Sequence, residues 1–476
     1  MAKDSNAAVW SAAFEALKAQ RDAAAIPQVS SSWPAPLTDI QEALWPNYAQ
    51  TPQKSFADFA LVPIHGPLDV DTLHAAFLEV VRVQHVLRTK FPVVGGVPRQ
   101  LVMPDLSKAF DFQDLRDSMS AEQIERQLDQ FKSAFVNLVD GPPYCASLLP
   151  VSDSKHMLLL GFHHLCFDGW SRLIFARELC DAYGAISDGT RPGLPDLPIQ
   201  VTDLGHWQQG DAFRELAEGQ VQYWRGALDG LGESPRLFAG SYRDGEATAV
   251  ARAYTIPQTT VEGLRSLRSE TGATLYMMLL ASFKILFRQD VAESDVCVEA
   301  RMANRARPEM RRLIGPCANV ALLRTDLGGD PTFRELLQRV RGTVLGALGN
   351  IDVSAKRVYD ILCGEGRIST IPSRVQTDWR TGSGQPLKLG AAAYGEQRQP
   401  VSEGPLLGRT GEPVTANFAD SLDLILQFQE FPDELALTVI HRPEHISGQD
   451  LDALIARYKD ITLAMLTSPD RRLSTI

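Results

Sequence analysis

The stretch Gly161–Ser171, GFHHLCFDGWS, decides how this chain is read. It closes a short apolar run, KHMLLLGFHH (155–164), whose length and flanking turn residues predict a buried strand. Beyond Gly169 the period changes to 3.6, with Phe175, Leu179 and Tyr183 on one face of a helix. The histidine pair and the Asp-Gly therefore sit at a strand-turn-helix junction. Adjacent strand residues point to opposite faces, so His163 and His164 cannot both reach one site. Parity puts His164 with Leu160 and Phe162, and as the last residue before the turn it is the one able to face a cleft. His163 then points into its own lobe as a hydrogen-bonded structural histidine. An imidazole titrates near neutrality and suits a general base. No Ser or Cys stands in a G-x-S-x-G elbow, so direct transfer fits better than a covalent acyl-enzyme. Asp168 precedes the helix and is expected to cap it or to pair with an arginine. Gly169 is expected to allow a backbone geometry that brings main chain close to a substrate.

The rest of the chain sets the bounds. Its 476 residues, 44% hydrophobic and 22% charged, fit a well-packed protein of two or three lobes. With 47 basic against 58 acidic residues the formal charge is -11, which argues against nucleic acid or an anionic membrane as partner. The six cysteines are scattered without a C-x-x-C pair, the usage of a reducing compartment. Neither a signal peptide nor a run of about 18 apolar residues is present, so a cytoplasmic protein is expected.

Helical spacing predicts an N-terminal helix over 8–22, with Trp10, Phe14 and Leu17 as its apolar stripe, and further helices over 68–91, 272–287, 332–348 and the C-terminal stretch. Strands are expected over 295–300, 319–327, 422–431 and 435–442, and an irregular segment over 364–414. The Pro-rich stretch 185–200 suggests a boundary, giving an N-terminal extension (1–30), a first lobe (31–185) and a second lobe (186–476). RMANRARPEMRR (301–312) carries five Arg against one Glu; it reads either as a salt-bridged solvated loop or as a contact for a phosphate or acidic carrier surface. His441 and His445 have metal-like spacing, but Pro443 breaks the helix that would align them, and no metal is expected.

The segment 161–171 resembles the HHxxxDG signature of the condensation domains of nonribosomal peptide synthetases, in the superfamily that includes chloramphenicol acetyltransferase. PLTDIQEALW (36–45), HVLRTKF (85–91), VTDLGHWQ (201–208) and IGPCANVALLR (314–324) are similar to further motifs of that family, in its order. The resemblance implies an α/β fold of two acetyltransferase-like lobes in a V-shaped pseudo-dimer, with a tunnel between them. It implies an acyl donor carried as a thioester on the phosphopantetheine arm of an acyl- or peptidyl-carrier protein, with no tightly bound cofactor of the chain's own. His164 matches the catalytic histidine and Asp168 the structural aspartate, whose arginine partner is expected to be Arg88. Gly169 would lend its N–H to the thioester oxygen, while Asn319, Trp170 and Ser171 are carried over as supporting residues. DGWS followed by Arg172 looks like condensation more than epimerisation.

No adenylation or carrier segment follows PDRRLSTI (469–476), which suggests a free-standing, monomeric enzyme. The second motif reads Val83, Gln84, His85 in place of the usual Arg-His-Glu, and the sixth reads NIDVSAK (350–356). These departures point to a small soluble amine or alcohol as acceptor and to an amide or an ester as product. An acyl-CoA-dependent transferase of the same fold and a non-catalytic recruitment module are the alternatives.

Overall fold

The computed structural model describes residues 25–29, 34–50, 57–104, pieces of 112–130, and 138–476 apart from 153, 191–192, 237–248, 292, 370–371, 382–386, 395–421 and 432–434. The helix expected over 8–22 lies outside the described residues. In chain order the elements begin with α1 (Asp39–Gln50), β1 (Ala57–His65), α2 (Val70–Val83), β2 (Phe112–Asp114), β3 (Tyr144–Ser152) and β4 (Lys155–His163). Next come α3 (Gly169–Ser187), α4 (Val201–Gln209), α5 (Asp211–Ala227), β5 (Val250–Ile256), α6 (Gln258–Thr271) and α7 (Leu275–Val291). The rest are β6 (Asp295–Met302), β7 (Asn319–Asp326), α8 (Phe333–Gly349), α9 (Ala355–Gly364), β8 (Val375–Thr381), β9 (Leu387–Leu389), β10 (Ala392–Tyr394), β11 (Leu424–Glu430), β12 (Leu435–His441) and α10 (Gly448–Thr467).

Contacts divide the chain into two compact units. The first comprises Met1–Gln220, Ala303–Ala318 and Pro386–Glu396; the second comprises Val221–Met302, Asn319–Gln385 and Gln397–Ile476. The division falls within α5, later than the Pro-rich stretch suggests. That stretch belongs to the first unit because Leu194, Leu197 and Ile199 are buried and Gln200 bonds the backbone of Val83 and His85.

The first unit is built on a six-stranded sheet in the order β9-β10-β1-β4-β3-β2. β4 runs antiparallel to both β1 and β3, and from Leu158 to His163 every residue is buried, which is why its sequence is an unbroken apolar run. Behind its end lies an aromatic core: Phe162 stacks on Phe167 with centroids 4.0 Å apart, and Phe175 of α3 meets both Phe77 of α2 and Phe162 edge-on. Side-chain caps start the two helices: Asp69 accepts the Thr72 N–H ahead of α2, and Asp168 accepts the Ser171 N–H ahead of α3.

The second unit has its own six-stranded sheet, in the order β7-β6-β8-β11-β12-β5. Here the expectation of an irregular 364–414 is corrected. β8 lies inside the sheet, parallel to both β6 and β11, and β9 and β10 extend the first unit's sheet. VQTDWRT does alternate, but its alternate residues Gln376, Asp378 and Arg380 are polar, so the strand gives no apolar run against its Gly- and Pro-rich flanks. The other strands and helices expected in this half are present within a few residues. All six cysteines are free thiols, and no helix among the described residues is long and apolar enough to cross a membrane.

Gly205 of α4 packs directly on the backbone of Ala35–Pro36, and a Cβ at this position would collide with the Pro36 carbonyl oxygen. That oxygen cannot swing away, because it also accepts from Gln100 Nε2 at 2.7 Å. Gly205→Ala is expected to destabilise the protein by about 1–3 kcal/mol; a denaturant melt indistinguishable from wild type would contradict this close approach.

Candidate functional site

The strand ends one residue earlier than parity assumed: β4 stops at His163, and His164 opens the turn that leads to α3. His163 is buried, with Nδ1 accepting the Leu165 N–H at 3.1 Å and its ring edge-on to Tyr48 at 5.4 Å. Burial, and secondarily the neighbouring His164, depress its pKa to about 3, so it is neutral at any working pH. His164 is half-buried, and its Nδ1 lies 3.3 Å from the Phe167 carbonyl oxygen. A carbonyl only accepts, so Nδ1 carries a proton in this contact, and in the neutral ring the basic atom is then Nε2, the tautomer a general base needs.

Asp168 is buried at the N-cap of α3. Burial alone would raise its carboxyl; the Arg305 charge and the hydrogen bonds around it hold it below the ordinary value. The expected partner is corrected here. Arg305 grips Asp168 as a fork, Nη1 to Oδ2 at 2.8 Å and Nη2 to Oδ1 at 3.0 Å, whereas Arg88 donates to the Met103 carbonyl at 2.6 Å. Arg88 ties its own turn to the strand Val97–Val102, with the Met103 N–H returned to the Arg88 carbonyl at 2.8 Å. Ser171 is fully buried in the Asp168 network, its Oγ donating to Oδ1 at 2.8 Å and accepting from Arg305 and from the Gly315 N–H. It is a structural link.

The basic segment is salt-bridged, as one reading of its composition suggested, but much of it is buried and not solvated. Arg305 is spent on Asp168, Arg307 is buried with its guanidinium 4.9 Å from the centre of the Trp207 ring, and Arg312 pairs with Glu178 at 2.7 Å. Arg301 and Arg311 remain exposed. The segment is an arm docked into the first unit, and Asp168 Oδ2 completes the docking by accepting the N–H groups of Cys317 (3.0 Å) and Ala318 (2.8 Å).

Gly169 is the first residue of α3 and is exposed; its φ lies outside the left-handed region, and a Cβ there would meet nothing within 4 Å among the described residues. Backbone strain therefore does not require the glycine, contrary to expectation, and what it provides is open space beside a helix N-terminus. Trp170 next to it is 38% exposed. Asn319, in the second unit, is buried with both halves of its amide used: Nδ2 donates to Ile351 and Val353, and Oδ1 accepts from Val320 and Ala355. It shapes the 351–355 loop. Sequence reading missed Arg305, which sits inside a segment read by its charge alone. It also missed Gln41, a fully buried amide that donates to the Leu165 carbonyl (2.9 Å) in the histidine turn and to Gln100 (3.2 Å). The only sequence signal for Gln41 is its place in the first motif.

The profile of the condensation domain matches residues 33–367. The chain belongs to the condensation-domain family. It is a condensation domain of the nonribosomal peptide synthetase type, as found in secondary metabolism. It is 29% identical over 93% of its length to a linear gramicidin synthase of Brevibacillus parabrevis, and spans 6% of that much longer protein. Among solved structures it is similar to the X-domain from teicoplanin biosynthesis, with a TM-score of 0.76 and 22% identity over 94% of this chain and 99% of that one. The first condensation domain of the calcium-dependent antibiotic synthetase, in complex with a substrate analogue, gives a TM-score of 0.72 and 19% identity over 94% and 99%. These likenesses establish the two-lobed acetyltransferase-like fold.

Asp168→Asn leaves the Arg305 charge buried and unpaired and is expected to cost about 3–5 kcal/mol. In a double-mutant cycle it should couple strongly to Arg305→Met and not to Arg88→Met; coupling to Arg88 instead would overturn the pairing. Acid should act through the buried histidines. His163 is held near pKa 3 and His85 near 4 by burial, against about 6.5 when unfolded. Both depressed groups stabilise the fold fully above pH 6.5 or so, and that contribution is lost as pH falls toward 4 and then 3, since the unfolded chain binds protons the folded one refuses. Denaturant melts should therefore weaken through this window, and His163→Phe should flatten the decline; an unchanged slope would show that His163 is protonated in the fold.

Proposed function

We propose that this chain moves an acyl group from the phosphopantetheine thioester of a carrier protein to a small soluble amine or alcohol. The product is an amide or an ester. The observation that carries the reading is the setting of His164: its Nδ1 faces the Phe167 carbonyl, which makes Nε2 the basic atom of the neutral ring, and Gly169 lies at the start of α3 with open space around it among the described residues.

In this reading Nε2 takes the proton from the acceptor N–H or O–H as its nitrogen or oxygen bonds to the thioester carbon. Negative charge collects on the former carbonyl oxygen, where the Gly169 N–H, at the positive end of α3, stabilises it. The tetrahedral centre collapses by breaking the C–S bond, and the imidazolium returns its proton to the leaving thiolate. Holding both reactants in line supplies much of the acceleration. The base matters most for an alcohol, which is a poor nucleophile while protonated. His163 and Asp168 take no part in proton transfer; they hold the turn.

The test is to load a carrier protein with candidate acyl chains, add a panel of amines and alcohols, and follow the product by mass. His164→Ala is expected to lower turnover about 100- to 10,000-fold, most for alcohol acceptors. An unchanged rate would remove His164 as the base. Equal use of free acyl-CoA and loaded carrier would favour the CoA-dependent reading, and the absence of any transfer would leave a recruitment module.

A further inference from the structure

In the first unit, the turn from His85 to Arg88 continues into a small sheet whose two faces are unlike. Thr89–Lys90 and Val93–Val94 pair antiparallel with Val97–Val102, and Ala35–Pro36 pairs with that strand on its other side. Register puts Lys90 opposite Leu101 and Val94 opposite Val97, and alternation along the strand puts Arg99 between them. Lys90, Val94, Val97, Arg99 and Leu101 therefore share one face. The opposite face carries Thr89, Phe91 and Gln100, all fully buried.

The shared face is turned to solvent. Val94 is 50%, Val97 46% and Leu101 38% exposed, and with Val93 they are four of the eight large apolar side chains exposed among the described residues. Singly scattered apolar side chains are ordinary on a surface, whereas a gathered set marks a contact. Gly95 and Gly96 close the hairpin as a two-residue loop with φ of +60° and +82°, which fixes the register of the valines on either side. Lys90 and Arg99 are half-buried, and neither side chain has a partner among the described residues. From His85 to Pro104 the sequence holds Arg88, Lys90 and Arg99 and no Asp or Glu, in a chain whose formal charge is -11. An acidic partner is repelled by the chain as a whole and attracted here, which selects both its sign and its orientation.

We propose that the face formed by Lys90, Val94, Val97, Arg99 and Leu101 is a docking surface for an acidic protein with an apolar centre, and that this partner is the carrier protein. The valines and Leu101 form the desolvated middle of the contact, and the two cations pair with carboxylates at its rim. Naming the partner as the carrier rests on the proposed acyl transfer; the docking surface itself does not.

The experiment measures binding of the full chain to a panel of fluorescently labelled carrier proteins, bearing the phosphopantetheine arm and no acyl group, by anisotropy. Wild type should bind, and less tightly as salt is raised. Val97→Ser and Leu101→Ser should each weaken binding about tenfold, and Lys90→Glu with Arg99→Glu should weaken it further and remove most of the salt dependence. These side chains face solvent, so melting temperatures should stay at the wild-type value; Val94→Ser, beside the loop, is the further variant should Leu101→Ser lower it. Unchanged affinity in these variants, or no wild-type binding to any carrier in the panel, would overturn the surface. So would recruitment to vesicles of anionic phospholipid, or a concentration-dependent dimer, that the same substitutions abolish, since the face would then belong to a membrane or to a second copy. Transfer from a free acyl-pantetheine thioester should be unaffected by the substitutions, and an equal fall with free and carrier-bound donor would overturn a docking role. A chain that binds the carrier through this face but transfers no acyl group would refute the proposed reaction and leave the surface standing.

Discussion

A single buried ion pair, Asp168 with Arg305, organises the first unit. Every acceptor position on the carboxylate is used: Oδ1 takes the Ser171 N–H, the Ser171 hydroxyl and Arg305 Nη2, while Oδ2 takes Arg305 Nη1 and the N–H groups of Cys317 and Ala318. A buried pair of this kind adds little net stability over a well-packed apolar alternative, because desolvating two charges offsets most of their attraction, yet removing one partner is severe. Its contribution is to position. The same oxygen atoms cap α3, fix where the histidine turn ends, and hold the 303–318 arm, so three pieces of chain distant in sequence share one anchor.

Much of this was legible in residue order alone. The apolar run of β4, the change to helical period after Gly169, the inward His163 and the capping Asp168 all follow from it, because burial on both faces and N-capping each leave a local signature. What stayed hidden is non-local or polar. Arg305 as the partner of Asp168 depends on a segment folding back across more than a hundred positions, and no spacing rule reports that. β8 escaped because strand signals are tuned to apolar alternation, while here the alternating side chains on one face are Gln, Asp and Arg. The burial of the basic segment escaped for a related reason: composition records charge, and a buried arginine with a carboxylate or an indole for company has the same letter as a solvated one.

The adjacent histidines show how environment, at one residue's separation, divides identical side chains between tasks. His163 is sealed by the core and the Tyr48 ring, its Nδ1 committed as an acceptor, so it can neither take nor give a proton in the accessible range. The neutral His164 ring has the opposite tautomer, because its Nδ1 lies within hydrogen-bond reach of a carbonyl oxygen. One backbone turn thus assigns the two protonation states: Leu165 offers an N–H to the first ring and Phe167 a C=O to the second. Gln41 holds that turn from α1 through the Leu165 carbonyl, so the geometry that sets the tautomers is itself braced by a residue far away in the chain.

The departure at the second motif can be weighed in the same terms. Gln84 is fully buried and fully used, donating to the Glu178 carboxylate at 2.9 Å and to the Arg312 carbonyl at 2.8 Å, and accepting the Ile314 N–H at 3.0 Å. Glu178, raised by burial against the pull of Gln84 and Arg312, closes the set by pairing with Arg312. A neutral amide here grips the arm at 312–314 just ahead of where Asp168 grips it at 317–318. It adds no charge to the interior, where an ionised side chain at this depth would carry a considerable desolvation cost. The altered motif therefore changes how the arm is fastened and leaves untouched the groups that set the state of His164. This is why an unusual second motif and an intact histidine turn occur in one chain without contradiction.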